Sequence, residues 1–309
     1  MRYSGCMDAP PNPTLEAAVD TILARAGEEI AVAAPLGLGK PHRLLNALYA
    51  RVAADPSRRL RIHTALSLDP PSPRPGLEGR FLAPFLARHF GEDFPRLAYA
   101  VAQKADKLPA NVHVEEFYLQ SGGALASNSA QSSYNALNYT HVARTVAARG
   151  IDVLVHRVAL SPDGTHLSLS CNPDLSFDLL AEISQLGKSR PLLVGEVDPQ
   201  LPYMGGPAEV PREFFDLVLE LPGDAPKLFA LPRQPVSDAE FAIGLYASTL
   251  VKDGGTLQIG IGSLSDALCH ALVLRHARNG EYLRMLDALD HSLRGSALVR
   301  ERGGTTPFA

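Results

Sequence analysis

Three things are scarce in this chain of 309 residues: cysteine, long apolar runs and an excess of charge of one sign. The three cysteines, Cys6, Cys171 and Cys269, lie far apart and are odd in number, and no two form a Cys-x-x-Cys pair. That spacing excludes a disulfide framework, and with no histidine cluster at zinc-ligand spacing no metal site is expected; free thiols in a reducing compartment fit best. No run of roughly 18 apolar residues occurs, so no membrane-spanning helix is expected. Asp8 and three prolines interrupt residues 1–15, which hold no leader-like apolar stretch, so the expectation is a cytoplasmic protein without a secretory signal. The net charge is −4 and basic residues are scattered, as in Arg58-Arg59 and around Arg300 and Arg302, so nucleic acid is not an expected partner.

What remains is an ordinary globular composition, 46% hydrophobic and 20% charged, in a chain long enough for about two domains. Apolar runs rich in strand formers alternate with helical periodicity. Residues 15–26 place Leu15, Ala18, Val19, Ile22 and Leu23 on one helix face, residues 30–34 form a short buried strand, and a glycine turn from Pro35 to Pro41 opens a helix running to about Ala54. Strands are expected at 60–66, 111–117, 153–160 and 191–197, with a further one opening at Val218 and Leu219. Helices are expected at 81–90, 135–149 and 177–186, the last two closed by Gly150 and Gly187. This order implies parallel crossovers and an α/β sheet covered on both faces.

The character changes over residues 221–236, where Pro222, Gly223, Pro226, Pro232 and Pro235 mark a linker. Ser237 then caps a helix with Asp238 and Glu240 in its first turn and an apolar stripe of Ile243, Tyr246, Ala247 and Leu250. Residues 256–261 read as a strand running into Gly260 and Gly262, with an amphipathic helix from about Ser265. The expected domains are therefore 1–235, a complete α/β unit with its linker, and 236–309, the incomplete beginning of a second α/β unit. The tail 293–309 has no periodicity and reads as a loop or frayed end.

Two glycine turns are candidate ligand sites. The first, Gly37-Leu38-Gly39-Lys40-Pro41, fails as a Walker loop because Ala34 and Pro41 stand where glycine and Ser/Thr are needed. It also fails as a dinucleotide fingerprint, because His42 replaces the third glycine. It is either a tight strand-to-helix turn or a ligand-contacting one. The second, Gly260-Ile261-Gly262, has the strand-turn-helix setting in which backbone N–H groups and a helix N-terminus meet an anionic or carbonyl ligand. Close helix–sheet packing would explain the same glycines. Other polar candidates are weaker: the small-residue loop 121–133 as a cleft wall, His141 as a cleft or core histidine, and Cys269 as a packed side chain.

The segment Asp253-Gly-Gly-Thr-Leu-Gln-Ile-Gly-Ile-Gly262, followed by Ser-Asp-Ala-Leu, resembles a signature of the acetyl-CoA hydrolase/transferase family, which includes acetate, succinate and 4-hydroxybutyrate CoA-transferases. Asn138-Tyr-Thr-His-Val-Ala-Arg144, Ser161-Pro-Asp-Gly-Thr-His-Leu-Ser168 and Glu196-Val-Asp-Pro-Gln-Leu-Pro-Tyr-Met-Gly205 resemble first-domain segments of that family, in which asparagine often replaces Asp198. Residues 35–41 match its first glycine turn. The resemblance implies two similar α/β halves of the kind shared by NagB, RpiA and CoA-transferase folds, with the active site between them. It implies coenzyme A and acyl-CoA as substrates rather than permanently bound cofactors, small carboxylates as acceptors, and Gly37, Gly39, Gly260, Ile261 and Gly262 as CoA-contacting positions. A homodimer is the default assembly. The family's catalytic glutamate would attack the thioester, passing through an acyl-glutamyl anhydride to a glutamyl-CoA thioester. Glu115, Glu116, Glu196, Glu209 and Glu220 do not match the motif of the family's catalytic glutamate and read as surface or strand-edge carboxylates, so the expected nucleophile lies beyond Ala309 and the catalytic residue is unknown. Two alternatives are a non-catalytic CoA-binding or interaction subunit and a relative of sugar-phosphate isomerases. For the latter no acidic base beside a phosphate loop is found.

Overall fold

The computed structural model describes residues 12–223 and 225–309, so most of the stretch read for a leader, Cys6 and the linker's Asp224 lie outside the described residues. Contacts divide the chain into two compact units, one ending at Ala230 and the other spanning Leu231–Ala309.

The first unit is built on eight strands: β1 (Glu29–Ala33), β2 (Arg59–Thr64), β3 (Val112–Glu116), β4 (Val153–Leu160), β5 (His166–Ser168), β6 (Leu192–Val197), β7 (Glu209–Pro211) and β8 (Leu217–Leu219). Its helices are α1 (Leu15–Ala26), α2 (His42–Ala53), α3 (Leu77–His89), α4 (Ala98–Lys104), α5 (Asn128–Ser132), α6 (Tyr139–Arg149) and α7 (Ser176–Gln185). Six strands pair in parallel in the order β3-β2-β1-β4-β6-β8. The far end of β4 leaves this sheet to pair antiparallel with β5, which pairs with β7.

Alternation along the strands feeds two cores. Ile30, Val32, Val153, Val155, Leu192 and Val194 pack with Ile22 of α1 and with Leu44 and Leu48 of α2. Their neighbours Ala33, Leu154, Val158, Leu193 and Val218 join Val142 and Val146 of α6 and Leu179 and Ile183 of α7. Apolar side chains on both faces are what parallel strands require, because the crossover helices exclude water from each side. The helix ends follow local chemistry: the Thr14 hydroxyl caps α1 by accepting from the Ala17 N–H (3.2 Å), and Gly27, at φ 76°, ends it.

Three expectations need correction. Helix α6 starts at Tyr139 rather than near residue 135, because the Asn138 side chain accepts from the Thr140 N–H at 3.1 Å and sets the cap there. The strand expected at 256–261 does not form; these residues are irregular and exposed, Ile261 by 86%. The described second unit consists of α8 (Asp238–Ser248), α9 (Ser263–Ala277), α10 (Asn279–Leu289) and α11 (Ala297–Arg302), with no strand to supply a ladder partner. The tail is not a frayed end. It contains α11, and Arg275, 1% exposed, donates from Nε to the Thr306 carbonyl at 2.7 Å and lies over the Phe308 ring at 4.3 Å.

Within the second unit, α8 begins with a reciprocal capping box between Ser237 and Glu240, and Glu240 also accepts from the Ser263 hydroxyl at the start of α9. The two helices cross at Gly244, where a Cβ would lie 2.8 Å from the Ala267 carbonyl carbon. Gly244→Ala should therefore destabilise this unit by about 1–3 kcal/mol despite alanine's better helix propensity. Unchanged or raised thermal stability, followed by circular dichroism, would contradict that close approach.

Candidate functional site at the carboxyl edge of the sheet

The chain runs outward from β1 through β2 to β3 on one side, and from β4 through β6 to β8 on the other. Between β1 and β4 the direction of winding switches, and at such a point the loops after the strands part to leave a crevice. Many of the molecule's buried polar side chains gather at this edge: Lys40, His42, Glu116, Arg157, Glu196 and Asp198.

The turn after β1 places the first group. Gly37 adopts φ 54°, a left-handed conformation that favours glycine, and its N–H donates to the Leu66 carbonyl at 3.2 Å. Gly39 is a glycine for space, since a Cβ there would sit 2.8 Å from Pro35 Cγ, and its N–H donates to the Leu36 carbonyl at 3.2 Å. Both glycines are buried and both amides are committed within the protein. The turn's outcome is the placement of Lys40, fully buried, with Nζ donating to the carbonyls of Pro35 (2.8 Å), Ala65 and Leu66 (3.3 Å). Leu66 itself holds φ 44°, an uncommon conformation for a non-glycine residue.

Burial lowers the Lys40 pKa to about 8, with the Glu116 and Asp174 carboxylates pulling the other way. Glu116, at the end of β3, is pushed up by burial and held back by Lys40 and by Ser67, whose hydroxyl donates to Oε1 at 2.6 Å. Ser67 also lies 3.0 Å from the buried Tyr99 hydroxyl. Glu116 and Ser67 border a small cavity of about 70 Å³.

The second group lies on the other side of the turn. Arg157 of β4 pairs with Asp198, just past β6, and both are buried. The Glu196 carboxylate accepts from the Leu44 N–H at 2.8 Å and so caps α2, whose own N-cap residue, Pro41, makes no side-chain hydrogen bond. Burial raises the Glu196 pKa, opposed by that backbone hydrogen bond and by Arg157. His42, at the first turn of α2, packs edge-on against Phe94 with ring centroids 5.6 Å apart. Neither of its ring nitrogens has a hydrogen-bond partner. Burial, then the cations of Arg157 and Lys40, lower its pKa to about 3, so the ring is neutral; the nearby Lys40 carbonyl opposes this weakly without reaching hydrogen-bond geometry. These residues wall a cleft of about 360 Å³.

The second glycine bend is built differently. Gly260, Ile261 and Gly262 are exposed, Gly262 has φ 142°, and a Cβ on it would meet nothing within 4 Å. Among the described residues their N–H groups have no protein acceptor, and the bend leads directly into α9. The structure thus places the two glycine turns in different units, one sealed and one open.

Of the other sequence candidates, His141 is exposed rather than core, and Cys269 is half-buried on α9. Three of the five glutamates make peripheral contacts: Glu115 with Arg149, Glu209 with Tyr203 (2.7 Å) and Glu220 with Arg212 (2.7 Å). Glu116 and Glu196 are buried, contrary to the surface reading. Glu116 closes β3 and Glu196 is the next-to-last residue of β6, and polar groups at the carboxyl ends of parallel strands are the signal that could have found them, along with Arg157 and Asp198. Among the described residues no cluster has the makings of a metal site, and no helix is long and apolar enough to cross a membrane.

Comparison with known proteins gives this arrangement a context. The sequence is 30% identical over 136 residues to succinyl-CoA:cyclohexane-1-carboxylate CoA transferase of Geobacter metallireducens, covering 44% of this chain and 29% of that protein. It is 37% identical over 94 residues to succinyl-CoA:acetate/propanoyl-CoA:succinate CoA transferase of Fasciola hepatica, covering 30% of this chain and 19% of that protein. Over these stretches the chain is similar to CoA-transferases. The matched stretches span less than a third of these relatives' own length. No protein-family model matches the chain. RipA from Yersinia pestis shares the fold, with a TM-score of 0.56 at 20% identity, over 86% of this chain and 54% of RipA.

Lys40 is the group on which the edge of the sheet turns. Lys40→Met leaves the carbonyls it served without their donor, at a cost of roughly 3 kcal/mol or more. The sign of its pH dependence follows from the lowered pKa. Between about pH 8 and the ordinary value of 10.5 the unfolded chain holds the proton that the folded one has lost, so this group's contribution to stability rises with pH across that window. Urea titrations of wild type and Lys40→Met should show a stability difference that grows in favour of wild type between those pH values. A difference that is flat or falling would contradict the buried ammonium.

Proposed function

We propose that this chain is part of an acyl-CoA:carboxylate CoA-transferase or acyl-CoA hydrolase, supplying the first α/β unit and the opening of a second. The observation that carries the reading is the sequence likeness to CoA-transferases that act on succinyl-CoA and propanoyl-CoA by their names. The chemistry is an exchange in which a glutamate carboxylate attacks the thioester carbonyl and expels CoA thiolate, leaving an acyl-glutamyl anhydride. The thiolate then attacks the glutamyl carbonyl, releasing the acid and leaving a glutamyl-CoA thioester. A carboxylate resolves this intermediate in a transferase, and water resolves it in a hydrolase.

The open bend at Gly260-Ile261-Gly262 suits the oxyanion and carbonyl contacts of such a reaction, because its amide N–H groups have no acceptor within the protein and stand before the N-terminus of α9. The turn at Gly37 and Gly39 offers no such contacts, its amides being already spent on the Leu66 and Leu36 carbonyls. None of the five candidate glutamates matches the family's nucleophile motif, and in this reading the attacking carboxylate is not among them.

Isothermal titration with CoA and acetyl-CoA tests this directly. The chain should bind both, and Gly262→Val, which forces a branched side chain into φ 142°, should weaken binding about tenfold or more. In a coupled assay residues 1–309 alone should not move CoA between carboxylates; normal turnover would place the nucleophile within them, and failure to bind CoA would remove the reading altogether.

A further inference from the structure

Residues 256–259 form an open strand edge. Among the described residues none of their backbone N–H or C=O groups finds a hydrogen-bond partner, and the second unit contains no strand to supply one. In an extended chain Leu257 and Ile259 lie on one face, as does Ile261 beyond them, and these side chains are exposed by 39%, 41% and 86%.

The usual protection of an uncovered edge is missing. Proteins blunt such edges with charged side chains, proline or a bulge. From Gly254 to Ser265 the chain holds neither a charge nor a proline. Helix α8 adds an exposed stripe of Ile243, Tyr246 and Leu250, and Val273 of α9 is also exposed. The second unit, Leu231–Ala309, thus carries more than half of the exposed large apolar side chains in a far smaller share of the described chain. Single exposed apolar residues are ordinary, whereas exposure gathered on one small unit marks an interaction surface.

The unpaired backbone decides what covers this surface. A lipid layer would accept the apolar side chains but leave the amides and carbonyls unsatisfied. A helix has spent its own backbone groups internally and offers no ladder. An extended strand meets both needs, with main-chain bonds to residues 256–259 and alternate side chains set against Leu257 and Ile259. A second copy of this chain would bring one strand only, giving a two-stranded ribbon, which is marginal in water. The fitting partner is the edge of a sheet that already has two strands or more.

We propose that residues 256–259 add as a strand to the sheet of a partner polypeptide, leaving the bend at Gly260-Ile261-Gly262 at the end of the new ladder. This rests on the backbone of the second unit and not on the transferase reading.

The test uses residues 1–309 extended past Ala309 by a Gly/Ser linker and a β-hairpin of alternating valine and threonine with an Asn-Gly turn. Ala309 is a suitable anchor because its N–H donates to Asp253 Oδ2 at 3.1 Å, close to the segment. Amide exchange of residues 256–259, read by NMR, should be fast in the chain without the hairpin and slowed about a hundredfold in the fusion. A fusion whose hairpin strands each carry a central proline should leave exchange fast. Ile259→Pro in the host removes one ladder donor and should abolish the protection. That site is irregular and exposed, so the variant should melt like wild type. No protection in the fusion, or equal protection by the proline-bearing hairpin, overturns the proposal. Protection already present without the hairpin, in a dimer that Ile259→Pro dissolves, gives the edge to a second copy and overturns the assignment to a different polypeptide.

Discussion

A single buried ammonium organises the carboxyl edge of the sheet. Lys40 reaches back under its own turn to the Pro35 carbonyl and across to those of Ala65 and Leu66, so the loops that leave β1 and β2 are tied to one point charge. A lysine with no solvent exposure is tolerated because carbonyl dipoles replace its water and because Glu116 and Asp174 supply negative charge nearby. The glycines before it are there to let the chain make that reach: Gly37 by its left-handed backbone, Gly39 by leaving room for the Pro35 ring. Their resemblance to a phosphate-binding loop is therefore superficial, since the amides such a loop would present are already bonded inside the protein.

With that corner held, the β4 and β6 side of the crevice can carry charge of its own. Glu196 caps a helix that lacks a side-chain cap, and Asp198 neutralises Arg157, which leaves His42 as the buried ring with nothing to bond. The fold thus keeps a neutral histidine next to two cations, a combination that costs stability. The antiparallel pairs made by β5 and β7 secure the neighbouring loop, where the Ser168 hydroxyl donates to the Met204 carbonyl at 2.7 Å and the Ser170 hydroxyl to that of Pro202 at 2.7 Å.

The second unit follows a different logic. Its helices are fixed by a capping box, by the close crossing at Gly244 and by Arg275, which joins the end of α8 to the tail through the carbonyls of Ser248, Val251 and Thr306. What its residues 256–261 lack is a neighbour. Their alternation suits a strand, but strand formation depends on inter-strand hydrogen bonds that no segment of the described unit provides. The sequence reading was correct about the helices on either side because a helix satisfies its backbone within itself.

The difference between what was legible and what was not has the same origin throughout. Residues 15–26 and 153–160 could be read residue by residue, because their periodicity and flanking caps are local properties, and the parallel α/β class followed from their order. The short pairs of β5 with β7 had no such signal, since three residues acquire strand geometry only from the partner they meet. The buried charges were harder still. Glu196 resembles any surface carboxylate when read along the chain, and it becomes the cap of α2 only when residue 44 is brought to it across 152 positions. Sequence alone determined the repeating pattern of helices and strands, because backbone preference and hydrophobic spacing act over a few residues. Which polar side chains would share the crevice was decided by tertiary structure, because electrostatic neighbours are set by distance in space.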